Sequence, residues 1–234
     1  MYTKVYSLES SLKANSHDFA KVLQYDPKKD KIVRIDLSES NTDLDQVDFR
    51  DTVALAAYID NYIKKVKAKF VFGGYNEFRS LYSRSDVFSG PFASGEPRRL
   101  HLGTDIWAAA GTSVHAPLGG MVHSFAYNNQ FGDYGGTIIL QHQLDTQSFH
   151  TLYGHLSLNS LNGLREGQYF SRGQKIAELG IPEENGMWPP HLHFQLIKDM
   201  ELKEGDYPGV CRYSQRQHYL NNCPDPDLIL GYEV

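Results

Sequence analysis

Cysteine is scarce in this chain. Only Cys211 and Cys223 occur among 234 residues, too few for the disulfide framework of a small secreted protein. Their spacing also differs from the C-x-x-C pattern of redox and zinc sites. The sequence leaves two states open for this pair, free thiols or one local bridge.

Long apolar runs and blocks of basic residues are also absent. No stretch of about 18 apolar residues occurs, and residues 1–20 lack the apolar segment of a signal peptide. The formal charge of -5 gives no attraction to a phosphate backbone. We therefore expect a cytoplasmic protein that binds neither nucleic acid nor membrane.

Two patterns indicate an N-terminal unit over residues 1–72. Residues 31–37 alternate between apolar and polar side chains, as a half-buried strand requires. From Asp48 onward an apolar stripe follows the helical period, with acidic residues at its start and lysines at its end, which suits the helix dipole. The stripe consists of Leu55, Tyr58, Ile59, Tyr62, Ile63 and Val66. We expect a small α+β unit here.

Residues 73–234 carry a different pattern. From about residue 85 there is no helical stripe, and short β-rich runs alternate with Gly, Pro, Asn and Asp. This spacing predicts a mainly β domain, a compact antiparallel sheet built as a barrel or a sandwich. The tail, from "GDYPGV" onward, looks irregular and is expected to wrap that domain.

Five residues are candidates for metal chemistry. They fall in "HLGTD", "LYGHLS" and "HLHFQL", and they are His101, Asp105, His155, His191 and His193. Because side chains alternate along a strand, the last two histidines share one face while the apolar residues that alternate with them face the core. Burying two imidazoles without partners is costly, so a shared ligand is the favoured explanation. Gly103 permits a turn that brings His101 and Asp105 to one point.

The segments around these residues resemble the peptidase M23 family, the lysostaphin-like zinc metallopeptidases. The resemblance spans about residues 98–197 and is carried, in family order, by "HLGTD", "AAAGTSVHAPLGGMV", "GGTIILQH", "TLYGHLS", "GQKIAELG" and "HLHFQL". It implies a compact antiparallel β fold with a groove. It also implies a zinc ion held by His101, Asp105 and His193, and catalytic roles for His155 and His191.

The chemistry of such a site agrees with these roles. Three protein ligands leave the fourth zinc position open to water, as in catalytic sites. Zinc lowers the pKa of that water, and a nearby imidazole can accept its proton and pass it to the leaving amine. His155 and His191 are the candidates for base and acid, in either order. The expected activity is hydrolysis of peptide or amide bonds in a peptide or peptidoglycan-like substrate.

The chain departs from the family pattern in three respects. Wall-degrading members are exported and often carry a wall-binding module, and neither feature is apparent here. A tyrosine often precedes the first metal ligand to stabilise an oxyanion, whereas this chain reads "SGEPRRLHLG", so the alternatives are Arg98, Arg99, Tyr75 and Tyr82. Residues 1–72 and the tail match nothing in the generic family, although "WPPHLHFQL" with "GDYPGV" resembles M23 domains in large cytoplasmic aminotransferase and phosphotransferase fusions.

Two other functions are compatible with parts of the pattern. A non-catalytic scaffold or binding module would keep the fold, but degenerate members lose ligands or catalytic histidines and this chain keeps all five. Biotinyl and lipoyl carrier domains have strands similar to "APLGGMV" and "GQKIAELG", but no lysine lies between these segments. The remaining histidines within the resemblance are expected to be surface or hydrogen-bonded residues, namely His115, His123, His142 and His150.

Overall fold

Strands dominate the structure. A computed structural model describes residues 7–89 and 95–232 of the chain. The strands in these ranges are β1 (Ile32–Arg34), β2 (Phe70–Gly73), β3 (Leu100–His101), β4 (Thr104–Trp107), β5 (Ser113–His115), β6 (Gly120–Asn128), β7 (Gly135–Leu144), β8 (Gln147–Leu156), β9 (Tyr169–Phe170), β10 (Lys175–Glu178), β11 (His191–Ile197) and β12 (Val210–Cys211).

The helices are fewer and mostly short. The α-helices are α1 (Leu8–Ala14), α2 (Thr52–Val66), α3 (Arg216–Asn222) and α4 (Asp227–Leu230). Single turns of 3₁₀ helix are Ser16–Asp18, Thr42–Gln46, Ser80–Arg84, Asp86–Phe88, Leu158–Leu161, Pro182–Glu184 and Tyr213–Gln215. None of the helices in the described ranges combines the length and the apolar character needed to cross a bilayer.

One large sheet organises the chain. Its strand order is β1-β2-β4-β11-β8-β7-β6-β9, and two short two-stranded sheets, β10-β5 and β12-β3, accompany it. The predicted mainly β fold is confirmed. In the described chain β1 and β9 are free edges, so the sheet does not close into the barrel that was one of the two alternatives. It is also mixed rather than wholly antiparallel, because β1 runs parallel to β2.

The parallel pair arises from the N-terminal α+β pattern. Parallel neighbours need a long crossover, usually a helix, and α2 lies between β1 and β2 in the chain. β2 then pairs with β4, which places Gly73 opposite Asp105. The sheet therefore runs across the boundary expected after residue 72, and the division into two folding units stays a prediction.

The predicted amphipathic helix is confirmed as α2. Its N-cap is Asp51, whose side chain accepts a hydrogen bond from the Val53 amide at 2.8 Å. Leu55 and Ile59 are each 3% exposed. They belong to one buried cluster with Trp107 of β4, so the helix is held against the sheet by apolar packing.

Strand β11 divides its side chains between the core and a polar face. Leu192, Phe194 and Leu196 are fully buried in the main apolar core, as the alternation predicted. His193 lies opposite Asp105 of β4 on one side and Gly154 of β8 on the other. A central strand with both neighbours paired therefore carries the histidines.

The C-terminal tail is more regular than the sequence suggested. β12 pairs with β3 and places Val210 opposite His101, and α3 and α4 follow it. The segment "RQHYLNN" of α3 has no buried residue. Without an apolar stripe, nothing in its sequence distinguished this helix from a loop.

Cys211 and Cys223 are buried free thiols. Of the two states that the sequence left open, the structure has the unbridged one. Burial raises the pKa of each thiol to about 12, so neither is a thiolate at neutral pH. The Cys223 sulfur accepts a hydrogen bond from Gln195 Nε2 at 3.3 Å.

His142 on β7 is a buried histidine that makes folding sensitive to acid. Its Nδ1 lies 3.0 Å from the Gly119 carbonyl and its Nε2 lies 2.7 Å from Thr151 Oγ1, and burial lowers its pKa from 6.5 to about 4. Below pH 6.5 the unfolded chain therefore binds a proton that the folded chain does not. Between pH 6.5 and 4 we expect the free energy of unfolding to fall by on the order of 3 kcal/mol from this residue.

Urea unfolding over this pH range measures the loss. His142→Gln removes the titrating group, and we expect this variant to have a shallower dependence of unfolding free energy on pH than the unchanged chain. Equal slopes for the two proteins would contradict the prediction.

Candidate metal centre and active site

Three side chains converge between strands β3, β4 and β11. His101 Nε2 lies 2.9 Å from His193 Nδ1 and 3.3 Å from Asp105 Oδ1, and His193 Nδ1 lies 3.1 Å from the same oxygen. The antiparallel register of β4 and β11 sets Asp105 directly opposite His193. All three residues are at most 3% exposed. The structure thus brings together the three residues predicted to be ligands.

Outward hydrogen bonds fix which ring nitrogen of each histidine carries the proton. His101 Nδ1 donates to the Gly74 carbonyl at 2.9 Å, because a carbonyl can only accept. Gln195 Nε2 donates to the Pro208 carbonyl, which turns its Oε1 toward His193 Nε2, 2.9 Å away. His193 Nε2 is therefore the protonated nitrogen. Both histidines keep a lone pair on the nitrogen that faces the carboxylate.

This arrangement fits a divalent metal ion. Two lone pairs 2.9 Å apart beside a carboxylate oxygen repel one another unless a cation lies between them. Ligand atoms about 2.0–2.2 Å from a tetrahedral zinc ion lie about 3.3 Å apart, close to the distances of 2.9, 3.1 and 3.3 Å between these atoms. Within residues 7–89 and 95–232, no other group of three histidine, cysteine or acidic side chains has such geometry.

Arg79 balances the charge of Asp105. Its Nη1 donates to Asp105 Oδ2 at 2.5 Å and its Nε donates to Glu77 Oε2 at 2.6 Å. Burial alone would raise the pKa of the Asp105 carboxyl, but the Arg79 guanidinium holds it well below its usual range. The carboxylate is therefore ionised, with one oxygen bound to Arg79 and the other directed at the two histidines.

His191 lies beside these three residues. Its Nδ1 donates to the Pro189 carbonyl at 2.8 Å, and its Nε2 lies 3.8 Å from Asp105 Oδ1. Trp107 stacks on the imidazole with ring centroids 5.5 Å apart, which fixes the plane of the ring. Burial lowers the pKa of His191 to about 4. The imidazole is thus neutral at pH 7, with its lone pair on Nε2.

A β-bulge turns His155 toward the same place. The register between β7 and β8 shifts where Gly154 and His155 occur, and His155 has a φ of 64°, which is rare for any residue but glycine. Its Nδ1 donates to the Asn185 carbonyl at 2.8 Å, and its ring centroid lies 4.1 Å from that of His191. Burial lowers the pKa of His155 well below its ordinary value, so this imidazole is neutral too.

All five residues lie in a segment that matches a known family. Residues 99–204 match the model of peptidase family M23. This segment is a peptidase family M23 domain. The resemblance drawn from the sequence is confirmed, and the domain includes strands β3 to β11.

The M23 domain is similar to a curated relative and to solved structures. The L-Ala–D-Glu endopeptidase of Bacillus subtilis (strain 168) is 32% identical over 127 residues, covering 52% of this chain and 35% of the relative. A zinc-containing peptidase from Vibrio cholerae is 29% identical, with a TM-score of 0.34 and coverage of 44% of this chain and 28% of that one. The catalytic domain of lysostaphin from Staphylococcus simulans is 23% identical, with a TM-score of 0.39 and coverage of 70% and 96%. This chain thus spans about a third of the length of the curated relative it matches.

Gly103 of the M23 domain makes room for the His193 ring. A Cβ at this position would lie 2.6 Å from His193 Cε1 and 2.8 Å from the Phe194 carbonyl oxygen. The chain bends at Gly103, between β3 and β4, and His101 and Asp105 come together as the sequence suggested. The glycine also permits this close approach. Gly103→Ala is therefore expected to displace the His193 ring and to weaken zinc binding about 10-fold or more.

Titration of the metal-free protein with zinc measures that change. Gly163→Ala is the control for backbone strain, since Gly163 has a φ of 73° and a Cβ built there meets no other part of the protein within 4 Å. Its zinc affinity should equal that of the unchanged chain. Equal zinc affinities for Gly103→Ala and the unchanged chain would contradict the prediction.

Tyr82 is the candidate oxyanion tyrosine that reaches the groove of the M23 domain. Its hydroxyl lies 3.2 Å from Arg79 Nη1, and its ring centroid lies 6.1 Å from that of His101. Tyr75 instead donates to a backbone carbonyl of the tail at 2.8 Å. Among the described residues, Arg98 lines the groove and Arg99 does not.

Sequence reasoning missed three residues around the M23 site. Arg79 and Tyr134 have no motif that marks them, yet the first binds Asp105 and the hydroxyl of the second lies 3.4 Å from His193 Nε2. Trp107 could have been found, because strand alternation puts it on the same face of β4 as Asp105.

Proposed function

We propose that this chain is a zinc-dependent hydrolase of peptide or amide bonds. The observation that carries the proposal is the convergence of His101 Nε2, Asp105 Oδ1 and His193 Nδ1 at separations of 2.9, 3.1 and 3.3 Å. In each of these residues the other polar atom is bonded outward. Ligand atoms oriented in this way need little rearrangement to bind an ion.

The donor set supports zinc as the ion. Two neutral imidazoles and one carboxylate are typical of catalytic zinc sites, which keep a further position for a reactant. Zinc bound there supplies Lewis-acid chemistry, activating water and polarising the scissile carbonyl. Arg79 fixes the orientation of the Asp105 carboxylate, and Gln195 fixes that of the His193 ring.

His155 and His191 are the proposed proton carriers. Each donates its Nδ1 proton to a backbone carbonyl, so each presents an unprotonated Nε2. One of the two imidazoles accepts a proton from the attacking water at its Nε2. Either that imidazole or the other, in its protonated form, then donates a proton to the leaving amine. Both residues line the groove, and the order of the two roles stays open.

Tyr82 is the proposed donor to the oxygen of the scissile carbonyl. Burial raises the pKa of its hydroxyl, so the group stays protonated and able to donate. The adjacent Arg79 Nη1, at 3.2 Å, orients that hydroxyl. A donor held in place before the reaction stabilises developing negative charge without reorganisation.

The proposed substrates are peptides, including those of the peptidoglycan type. The curated relative is an L-Ala–D-Glu endopeptidase, and family M23 is a peptidase family, which together make mixed-chirality peptides the first class to test. The cytoplasmic location and the resemblance to M23 domains in aminotransferase and phosphotransferase fusions stay predictions from the sequence.

Removal and restoration of the metal tests the proposal. Zinc-loaded full chain is incubated with muropeptides containing L-Ala–D-Glu bonds, with glycine-rich peptides and with peptides of L-amino acids, and the products are identified by mass spectrometry. We expect cleavage of at least one class, its loss after dialysis against a chelator and its return with zinc. Failure to bind one zinc ion per chain, or cleavage that survives metal removal, would contradict the proposal.

The non-catalytic scaffold remains the rival function. A scaffold gives no role to the neutral, groove-lining imidazoles of His155 and His191, whereas the proposed enzyme uses both in proton transfer. Zinc binding without cleavage of any peptide class would favour the scaffold.

A further inference from the structure

The groove that contains the metal centre has an apolar wall from outside the M23 domain. This apolar wall consists of Leu37, Leu55, Ile59, Leu81, Val87 and Phe88, all of which line the groove. Two of these residues come from α2, and none lies within residues 99–204. The wall is therefore a feature of this chain's own N-terminal part and not of the matched family segment.

The apolar wall continues up to the reacting residues. Tyr82, Trp107 and Trp188 belong to the same buried cluster as the wall. The ring centroid of Trp107 lies 5.5 Å from that of His191, and that of Trp188 lies 6.2 Å from that of His155. A substrate group that contacts the wall thus lies close to the two histidines proposed to carry protons.

The charged residues of the groove lie at one border of the apolar wall, where the Arg98 guanidinium lies 5.9 Å from the ring centroid of Phe88. Arg79 and Asp105 are paired at 2.5 Å. Arg98, Asp133 and Asp206 also line the groove, but they lie outside the apolar cluster, and the Arg98 guanidinium is bonded to the Val87 carbonyl. A substrate side chain against Leu37, Leu55 or Ile59 therefore meets aliphatic carbon, away from the border formed by Arg98.

We propose that the apolar wall selects substrates with a bulky apolar side chain next to the scissile bond. The inference rests on the proposed function, since it concerns the substrate of the same site. Leucine or phenylalanine at that position would bury its own apolar side chain against the part of the wall's buried cluster that borders the groove, whereas glycine would add no such contact. When two substrates differ by one methylene group in an apolar pocket, the enzyme's preference between them is about 10- to 200-fold.

Binding of two hydroxamates to the zinc-loaded full chain tests the inference without any cleavage. Glycine hydroxamate and leucine hydroxamate share the metal-binding group and the amine, and they differ only in the side chain. Calorimetry should give a Kd for leucine hydroxamate at least tenfold lower than that for glycine hydroxamate. Equal values would overturn the selection by the wall, because the metal-binding group would then carry all of the affinity.

Variants of α2 connect the preference to the wall. Ile59→Phe fills the groove, and it should reduce the ratio of the two Kd values at least fivefold while changing the Kd of glycine hydroxamate less than twofold. Val53→Phe adds the same ring on the same helix at a residue that is 75% exposed, and its ratio should equal that of the unchanged chain. Equal effects of the two variants would overturn the inference, and the comparison on the unchanged chain stands even if Ile59→Phe fails to fold.

The results also separate this inference from the proposed function. If the chain binds zinc and cleaves peptides but does not bind leucine hydroxamate more tightly than glycine hydroxamate, only the proposed selection by the wall is contradicted. If the chain binds the hydroxamates with the expected preference but cleaves no peptide, only the proposed hydrolase function is contradicted. Absence of zinc binding would overturn both.

Discussion

Replacing His193 by alanine is expected to remove zinc binding while His191→Ala retains it. His193 Nδ1 lies within 3.1 Å of both other ligand atoms, and its loss leaves two ligands, one of them a carboxylate. Since losing a hydrogen-bond partner of a ligand already costs 10- to 100-fold in affinity, loss of the ligand itself should cost more than about 100-fold. Competition with a chromophoric chelator measures zinc affinity for both variants.

The two histidines form a matched pair for this test. They are two residues apart on β11 and 4% and 3% exposed, so alanine creates a similar cavity at each position. His191→Ala should keep its zinc affinity within about threefold, because neither ring nitrogen of His191 is a proposed zinc ligand. Its Nδ1 donates to the Pro189 carbonyl, and its Nε2 is unprotonated. Similar zinc affinities in the two variants would refute the ligand assignment, and circular dichroism establishes that both are folded.

Loss of turnover with zinc retained is the expected result for both His155→Ala and His191→Ala. A positioned general acid or base contributes about 10²- to 10⁴-fold, so kcat should fall by that factor while the metal content stays at one ion per chain. The assay uses whichever peptide class the zinc-loaded chain cleaves. His17→Ala is the control, because that side chain is 77% exposed and lies at the far N-terminal end of the sequence.

The double variant His155→Ala/His191→Ala adds a further criterion. If the two imidazoles act in one proton-transfer sequence, removing both should cost little more than removing one. Independent, multiplicative losses would argue against a shared sequence, and full turnover in either single variant would exclude that residue as a proton carrier.

The sequence predicted the parts of the site that follow a local period. Leu192, Phe194 and Leu196 were assigned to the core by strand alternation, and the same rule put His191 and His193 on a common face. α2 was found because its stripe is long and its ends carry charges of the appropriate sign. The metal ligands depended on motifs in family order, and their roles stay predictions.

The parts that were not predicted depend on contacts between distant residues. His155 reaches the groove through a β-bulge, and a bulge has no fixed sequence signal at that position. Arg79 was missed because its pairing with Asp105 depends on the fold and not on their spacing in the chain. The strand predicted over residues 31–37 is present as β1 (Ile32–Arg34). Its parallel pairing with β2 was not predicted, because a short strand followed by a helix is compatible with several topologies.

The contact between Arg79 and Asp105 sets the smallest fragment of this chain that keeps the site intact. Arg79 and β2 lie outside residues 99–204, yet the first neutralises Asp105 and the second pairs along β4. A fragment cut at the limits of the family match would keep a buried carboxylate without its cation, a loss that typically costs 3–5 kcal/mol. It would also expose one edge of β4. A fragment that keeps the proposed site therefore begins no later than β2. Grafting the shared family sequence alone would transfer the proposed ligands without the counter-charge that keeps Asp105 in place.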